Sequence, residues 1–329
     1  MASNIPFKNI LEAYARIGPY VHQTPVLTSS TFNLMSGLDL FFKCENLQKT
    51  GAFKARGACN AVLLAKQTNP DLKGIVTHSS GNHGQAIAYA CSKHVANVPC
   101  SVVVPSNTPS VKCEAIKGYG ATLVFCEPSP IARKEACDAI ANEKGYEIVH
   151  PYDNYNVMAG QGTMAYEMLE IQNFRDLDAI LVPISGGGMT SGIAIAAKNV
   201  NPDLKVIIVE PKGKDLEPCL KAKERLWADP PQFVDTIAEG IKMQQTGHLT
   251  FPILCELAEE SVMSITDEEM TKAMRMVLER MKLGIEASAG AAVAAAVFRS
   301  EELKAKWPKI KKVGVILCGG NFELPSNYP

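Results

Sequence analysis

The sequence predicts an α/β fold built on parallel β-sheets. Three observations support this class: apolar runs of strand length recur along the chain, segments of helical length separate them, and glycine-rich turns follow several of the runs. Strands joined through helices need crossover connections, which place helices on both faces of a parallel sheet. With 329 residues, of which 47% are hydrophobic, the chain can bury two lobes rather than one.

Apolar runs predict the strands, in chain order, at residues 40–44, 74–78, 100–104, 122–125, 179–184, 205–210 and 311–318. Helical periodicity predicts helices at residues 82–94, 110–117, 131–144 and 189–199. The short strand–helix units between residues 74 and 151 predict a compact small domain, 74–151. It would be inserted into a large domain made of residues 1–73 and 152–329.

Two segments interrupt this alternation. Residues 212–233 are rich in Lys, Glu and Pro, which predicts a long surface connection. Further on, Thr266-Asp267-Glu268-Glu269 is a capping box that predicts a helix start, and a methionine stripe behind it predicts core packing. We expect Gly284 to end that helix.

Composition argues against several classes of function. The chain has 33 Lys and Arg against 34 Asp and Glu, and no basic run with interleaved aromatic residues indicates nucleic-acid binding. No apolar stretch reaches membrane-spanning length, and the first residues lack the pattern of a secretion signal. The ten cysteines form no Cys-x-x-Cys pair, which favours reduced thiols over disulfides or zinc. We expect a soluble cytoplasmic protein.

Lys54 is the first candidate for chemistry. It lies in the run Lys49-Thr50-Gly51-Ala52-Phe53-Lys54-Ala55-Arg56-Gly57, after the predicted strand 40–44. Most lysines are solvated surface charges. However, an amine held among apolar neighbours has a lowered pKa and becomes nucleophilic enough to bind a carbonyl carbon. Taken alone, the run is compatible with either role.

A glycine loop, Ser185-Gly186-Gly187-Gly188, joins the predicted strand 179–184 to the helix that begins at Met189. Its glycines let the backbone approach an anion, and the helix N-terminus presents unpaired N–H groups with a partial positive charge. The loop predicts a phosphate site, with a flexible turn as the alternative. Neither dinucleotide nor P-loop spacing occurs, so a single phosphate fits better than a pyrophosphate.

Two more segments lie just past predicted strand ends. Ser79-Ser80-Gly81-Asn82-His83-Gly84-Gln85 offers hydroxyls and first-turn N–H groups that suit a carboxylate, although ordinary N-capping is the alternative. Within it, Ser80 is a candidate acid/base. Leu317-Cys318-Gly319-Gly320-Asn321 ends the last strand. Because ligands collect at the carboxyl ends of strands in open α/β sheets, we expect all these segments to face one cleft.

Together and in this order, the four segments resemble the fold-type II pyridoxal-phosphate enzymes, and the resemblance covers essentially the whole chain. Within that family the chain is most similar to the serine racemases and their serine/threonine dehydratase relatives. The resemblance implies a tryptophan-synthase-β-like architecture. In it, two three-layer αβα domains hold pyridoxal 5′-phosphate between them.

The resemblance also implies the cofactor contacts. Lys54 would bind the cofactor aldehyde, Phe53 would flank the ring and Asn82 would bond the ring 3-oxygen. The phosphate would be held by the glycine loop and the residue after it, namely Ser185, Gly186, Gly187, Gly188 and Met189. Cys318 would face the pyridine nitrogen, where many relatives carry serine, and a neutral group there does not enforce a pyridinium ion.

The implied activity is interconversion of L- and D-serine. Elimination of water would accompany it, giving pyruvate and ammonia from serine and 2-oxobutanoate and ammonia from threonine. Lys54 and Ser80 would be the bases on the two faces of the substrate. The substrate carboxylate would be bound by Ser79, Ser80, Asn82 and His83, and Arg133 of the small domain would close onto the substrate.

A Mg²⁺ or Ca²⁺ site is implied as well, formed by a strand-end glutamate, a carbonyl four residues on and an aspartate six residues on. Glu210 and the Lys214 carbonyl match, but the sixth position is Leu216, so Asp215 would serve only after a shift of one residue. The alternative interpretation is that Glu210 is a solvated carboxylate at the end of a strand.

ATP would act as an activator at the interface of a homodimer. The residues that the resemblance implies for it are Lys49, Thr50 and Gln85. Lys49 and Gln85 have equally good structural roles.

Two other functions remain open. One is a catabolic L-threonine/L-serine or threo-3-hydroxyaspartate dehydratase with little racemisation. The other is a non-catalytic ligand-binding protein of the same fold, against which the presence of both Lys54 and Ser80 argues.

Overall fold

The computed structural model describes residues 5–79 and 81–322, apart from the side chain of Pro130. Within these ranges the strands form two sheets. The strands are β1 (Val26–Leu27), β2 (Asp39–Lys43), β3 (Ile75–His78), β4 (Cys100–Pro105), β5 (Thr122–Cys126), β6 (Glu147–Ile148), β7 (Ala179–Pro183), β8 (Lys205–Pro211), β9 (Met263–Ile265) and β10 (Lys312–Ile316).

The larger sheet has the strand order β1-β2-β10-β7-β8-β9, and the smaller sheet has the order β5-β4-β3-β6. Neighbouring strands are parallel, except that the short edge strand β1 runs antiparallel to β2. The predicted α/β class with parallel sheets is therefore confirmed, and the antiparallel edge is an addition to it. All four strands of the smaller sheet lie between residues 75 and 148.

Helices connect the strands and cover both sheets. They are α1 (Phe7–Ile17), α2 (Ser30–Ser36), α3 (Lys54–Thr68), α4 (Asn82–Cys91), α5 (Ser110–Lys117), α6 (Pro130–Lys144), α7 (Tyr155–Tyr166), α8 (Gly188–Val200), α9 (Leu216–Ala222), α10 (Thr250–Leu257), α11 (Asp267–Met281), α12 (Ala287–Val297) and α13 (Ser300–Lys306). Among the residues described, none of these helices combines the length and apolar character needed to cross a bilayer.

Helix α3 packs with both lobes. Its residues Ala58, Cys59 and Val62 belong to the apolar core of the smaller sheet, together with α4 and β4. The start of the same helix lies against the larger sheet, because Phe53 N–H bonds the carbonyl of Cys318 at 3.0 Å, just past β10. A residue at the first position of α3 is thus placed between the two lobes.

Two local predictions are wrong. The segment 212–233 is not only surface connection, because it contains α9, whose Leu216 and Leu220 pack in a buried cluster beneath β8. The capping box of Thr266 and Glu269 at the start of α11 is confirmed. However, α11 ends before Lys282, whose φ of +61° gives the left-handed cap expected of Gly284.

A buried charge network, Arg56–Glu45–Glu167–Lys43, holds the start of α3. Nε and Nη2 of Arg56 donate to Glu45, each at 2.8 Å, while Nη1 and Nη2 donate to Glu167, each at 3.0 Å. Lys43 Nζ donates to Glu167 at 2.6 Å. Two cations therefore balance two anions that are almost fully removed from water. Paired, bidentate geometry of this kind is what makes buried charges tolerable.

Replacing Arg56 with methionine would leave Glu45 and Glu167 buried with a single cation. Because removal of one partner strands a buried charge, we expect Arg56→Met to lower the free energy of unfolding by about 3–5 kcal/mol in urea denaturation. The control is Arg275→Met, which removes an exposed pair with Glu279 and should leave the free energy of unfolding almost unchanged, because water and salt screen such pairs. Similar losses in the two variants would contradict the role given to the network.

Candidate active site

Lys54 is the first residue of α3, beside the carboxyl end of β10. Its Nζ donates to the carbonyl oxygen of Pro151 at 2.6 Å and lies 5.2 Å from the centre of the Phe53 ring. Burial lowers the pKa of the Lys54 amine to about 8, although Cys318 and Glu286 oppose the shift. A useful fraction of the amine is therefore uncharged near neutral pH, as attack on a carbonyl carbon requires.

Main-chain hydrogen bonds hold the turn before Lys54 against the segment that follows β10. Phe53 N–H donates to Cys318, and Gly320 N–H donates to the carbonyl oxygen of Gly51 at 2.8 Å. Gly51 has a φ of +72°, and a Cβ on it would lie only 2.4 Å from a side-chain oxygen of that segment. Glycine is needed there on both counts, and the turn fixes where Lys54 begins the helix.

The glycine loop, residues 185–188, is packed closely from behind. A Cβ on Gly186 or Gly188 would lie 2.2 or 2.8 Å from atoms of Tyr152, whereas Gly187 has a φ of +95°. Thr250 Oγ1 donates to the carbonyl oxygen of Gly186 at 2.7 Å. Two of the glycines therefore permit close packing, and the third permits a left-handed backbone conformation.

This loop leads directly into α8, which begins at Gly188. The N–H groups of a first helical turn have no partner within the helix and carry a partial positive charge. Met189 lies in this turn, as does Thr190, whose buried hydroxyl has no hydrogen-bond partner among the residues described. A glycine-lined helix start with unpaired donors fits a phosphate group.

Asn82 is the first residue of α4 and joins the lobes. Its side-chain nitrogen donates to the Glu286 carboxylate at 2.9 Å, and its side-chain oxygen accepts from Asn321 at 2.9 Å. Both partners come from the lobe of the larger sheet: Glu286 precedes α12, and Asn321 follows β10. Asn82 is thus brought to the same cleft as Lys54, and its contact with a cofactor stays a prediction.

Ser79 lies in the turn between β3 and α4. Its Oγ accepts the N–H of Gly81 at 3.3 Å. A Cβ on Gly84 would lie 2.1 Å from the Ser79 carbonyl oxygen, so glycine lets the helix pack onto the turn. Ser80, predicted as the second base, lies outside the described residues.

Three histidines, His78, His83 and His150, lie near one another, and the charge of Lys54 helps to lower the pKa of His83 and His150. His83 is buried, and its Nε2 lies 3.3 Å from the carbonyl oxygen of Val149. His78 and His150 pack edge to face, with ring centres 5.5 Å apart. Burial lowers the pKa of all three imidazoles, that of His150 to about 4. His83 therefore offers a neutral ring, not a positive charge, to any carboxylate.

The acidic groups of Cys318 and Glu286 act on the Lys54 amine, and both residues are buried. Burial raises the pKa of the Cys318 thiol well above its ordinary value and also raises the pKa of the Glu286 carboxyl. Cys318 is therefore a neutral thiol at physiological pH. Glu286 is missing from the sequence predictions; the only signal for it is an acidic residue directly before the alanine-rich α12.

Arg133 lies on α6 and contacts the other lobe. Its guanidinium carbon lies 5.7 Å from the centre of the Phe233 ring. Burial lowers the pKa of Arg133, and its Nε has no hydrogen-bond partner within the described ranges. Its charge also helps to lower the pKa of His78. Arg133 thus faces the cleft region, and its contact with substrate stays a prediction.

The predicted metal ligands each have a setting that the sequence does not show. Glu210 is buried at the end of β8 and accepts the N–H of Leu216 at 3.1 Å. The Lys214 carbonyl accepts the indole N–H of Trp227 at 2.8 Å, and Asp215 is exposed. Over residues 5–79 and 81–322, no group of three or more His, Cys, Asp or Glu side chains is placed to hold a metal ion.

The predicted nucleotide residues lie in two elements that pack together, the turn Lys49–Gly51 and helix α4, which carries Gln85. Thr50 has a φ of +62°, and its carbonyl oxygen accepts a bond from Asn321 at 2.7 Å. The two elements that carry the three residues are therefore neighbours, and ATP binding by these residues stays a prediction.

Sequence reasoning missed the residues that support the glycine loop. Asp153 accepts the N–H groups of His248, Leu249 and Thr250 at 2.8–3.3 Å and so caps α10. Thr250 in turn bonds the glycine loop. The signal for this support is weak, because Asp153 follows the small-lobe segment far from residues 247–250 in sequence.

Comparisons with known proteins cover nearly the whole chain. The model of the family described as "Pyridoxal-phosphate dependent enzyme" matches residues 17–319. The serine racemase of Dictyostelium discoideum is 45% identical over 324 residues, which is 98% of this chain and 97% of that protein.

Solved structures are also similar to this chain over nearly its whole length. A pyridoxal 5′-phosphate-dependent aspartate racemase superposes with a TM-score of 0.93 at 52% identity, covering 97% of each chain. A threonine deaminase from T.th. superposes with a TM-score of 0.86 at 35% identity, covering 97% of this chain and 99% of that one. The chain thus belongs to the family of pyridoxal-phosphate-dependent enzymes.

Proposed function

We propose that this protein is a pyridoxal-phosphate-dependent amino-acid racemase that interconverts L- and D-serine and also eliminates water from serine and threonine. The observation that carries the proposal is the setting of Lys54. Its amine has a lowered pKa and lies between the two lobes, next to the neutral thiol of Cys318. The racemases and the deaminase among the relatives support the same reaction class.

Bound pyridoxal phosphate would supply an electron sink for the charge left when the substrate α-proton departs. Lys54 would bind its aldehyde beside Phe53, and the first turn of α8 with the glycine loop before it would hold its phosphate. Asn82, already oriented by Glu286 and Asn321, would bond the ring oxygen. A neutral Cys318 at the ring nitrogen would not enforce a proton there, which suits a carbanion that is rapidly reprotonated or that expels its β-hydroxyl.

Lys54 is the group that moves the α-proton on one face of the substrate. An amine with a pKa of about 8 is close to the operating pH, as an efficient general base should be. Racemisation needs a second proton donor on the opposite face, and we assign this role to Ser80. Elimination needs only the first proton removal and loss of the hydroxyl, so both reactions begin with the same step.

Finer assignments rest on the resemblance. We propose that Ser79 and Arg133 contact the substrate, that Lys49, Thr50 and Gln85 bind a nucleotide and that the protein works as a cytoplasmic homodimer. Residues 74–151 would form the small domain that closes on the substrate. We do not propose a divalent metal, because Asp215 is exposed and the Lys214 carbonyl accepts the Trp227 indole N–H.

Aspartate is a second candidate substrate. Two observations favour it: the 52% identity to an aspartate racemase, and the unpartnered Nε of Arg133, within the described part of the chain, which could meet a second carboxylate.

Product analysis tests the function directly. The holoenzyme should convert L-serine to both D-serine and pyruvate, measured separately by chiral chromatography and by a lactate dehydrogenase-coupled assay. L-Aspartate is assayed in parallel, and a higher kcat/KM for its racemisation would make aspartate the main substrate. Pyruvate without any D-amino acid would reduce the protein to a dehydratase. Absence of every product would leave only ligand binding.

Ser80→Ala separates the two proton transfers. Because the variant keeps Lys54, we expect L-serine dehydration to survive. Racemisation and D-serine dehydration should fall about 10²–10⁴-fold, the usual contribution of an acid/base group. Ser79→Ala is the neighbouring comparison and should alter KM for both reactions together. An equal loss of all activities in Ser80→Ala would show that Ser80 only positions the substrate.

A further inference from the structure

Lys214 has an unusual environment for a lysine in a connection between a strand and a helix. It is fully buried, three residues after the end of β8 and two before the start of α9. Its Nζ donates to the carbonyl oxygens of Met243 at 2.5 Å and Gln244 at 2.7 Å. Burying an ammonium group is costly unless oxygen atoms replace its water. Here main-chain carbonyls supply those oxygen atoms.

The buried carboxylate near Lys214 is that of Glu210. Both groups are buried, and the charge of each favours the charged form of the other. Their hydrogen bonds go elsewhere, Glu210 to the N–H of Leu216 and Lys214 to the two carbonyls. The carboxylate of Glu210 and the ammonium of Lys214 therefore attract each other across the connection between β8 and α9, without a shared hydrogen bond.

Two of the groups expected to bind a divalent cation at this place have other settings. The carbonyl of Lys214 accepts the Trp227 indole N–H, and Asp215 is exposed with a φ of +57°. Glu210 is then the one acidic side chain left from the expected set. Mg²⁺ and Ca²⁺ bind six or more oxygen atoms, from carboxylates, carbonyls and water. A single buried carboxylate beside the Lys214 ammonium, which would repel a second cation, does not fit such an ion.

We propose that the ammonium of Lys214 is a built-in cation that takes the place of a divalent metal ion in this protein. It offsets the buried charge of Glu210 and gathers the same kind of oxygen ligands, but through a covalently attached group. The site is therefore permanently occupied, and the protein needs no metal at this position to be stable.

The same ammonium connects to the cofactor site through a short path. Gln244 lies three residues before Gly247, whose N–H donates to the carbonyl oxygen of Gly186 at 3.0 Å. Thr250 donates to the same carbonyl oxygen at 2.7 Å. Lys214 thus anchors one end of the segment whose other end supports the glycine loop. Loss of its charge should loosen the phosphate site as well as the fold.

The test measures the thermal midpoint (Tm) and the pyridoxal-phosphate Kd of the native protein and its variants. Lys214→Ala should lower Tm by about 2–4 °C, because buried oxygen atoms lose their partner, and should weaken cofactor binding. Added n-propylammonium, which replaces the missing side chain, should restore Tm more than an equal concentration of sodium chloride. Lys214→Met keeps the stem without the charge and should lower Tm without amine rescue. Lys212→Ala, at an exposed lysine nearby, is the control and should leave Tm unchanged.

The effect of metal ions on the native protein tests the proposal even if the variants fail to fold. For the native holoenzyme we expect the same Tm with a chelator and with millimolar Mg²⁺ or Ca²⁺. A saturable rise in Tm with either ion that Glu210→Gln abolishes would overturn the proposal. Equal Tm and cofactor Kd for Lys214→Ala, Lys212→Ala and the native protein would overturn it as well.

Discussion

The buried pairing of Arg56 with Glu45 and Glu167 is the interaction on which the rest of the site depends. It fixes the first turn of α3 to the segment after β2 and to the end of α7, two residues from Lys54. Charges taken out of water tolerate little displacement, because any loosened partner remains desolvated. A helix start held in this way gives the Lys54 amine a defined position between the lobes. Lys43 completes the charge balance behind it.

In front of that network, the cleft contains groups that are polar and mostly uncharged. The imidazoles of His78, His83 and His150 are neutral and Cys318 is a thiol, in each case because burial disfavours the charged form. Such surroundings lower the pKa of an amine and leave it nucleophilic. Charge is instead concentrated in compensated positions outside the cleft. Arg56 and Lys214 are both cations that main-chain or carboxylate oxygens surround, and each supports one wall of the cofactor site.

Much of this arrangement can be predicted from the sequence, and the residues that could not be predicted were missed for physical reasons. Strand and helix patterns predict the parallel sheets, and the glycine loop and Lys54 are recognisable because their chemistry is local. Glu286 and Asp153 are not recognisable, since their roles arise from partners more than 90 residues away in sequence. The burial of the Lys214 side chain escapes prediction for another reason: a lysine in a polar connection looks solvated, and its ammonium's partners, Met243 and Gln244, lie 29 and 30 residues further on.

The central claim is that the pKa of the Lys54 amine is lowered by burial. The most direct test of this claim is the pH dependence of the rate at which the apoenzyme binds pyridoxal phosphate covalently. Capture is followed as the rate of borohydride-resistant attachment of pyridoxal phosphate, with Lys54→Ala as the control. With a pKa of about 8, the rate should rise about tenfold per pH unit at low pH and level off above pH 8. A rate that keeps rising to about pH 10, as for an ordinary lysine, or attachment to Lys54→Ala, would contradict this account.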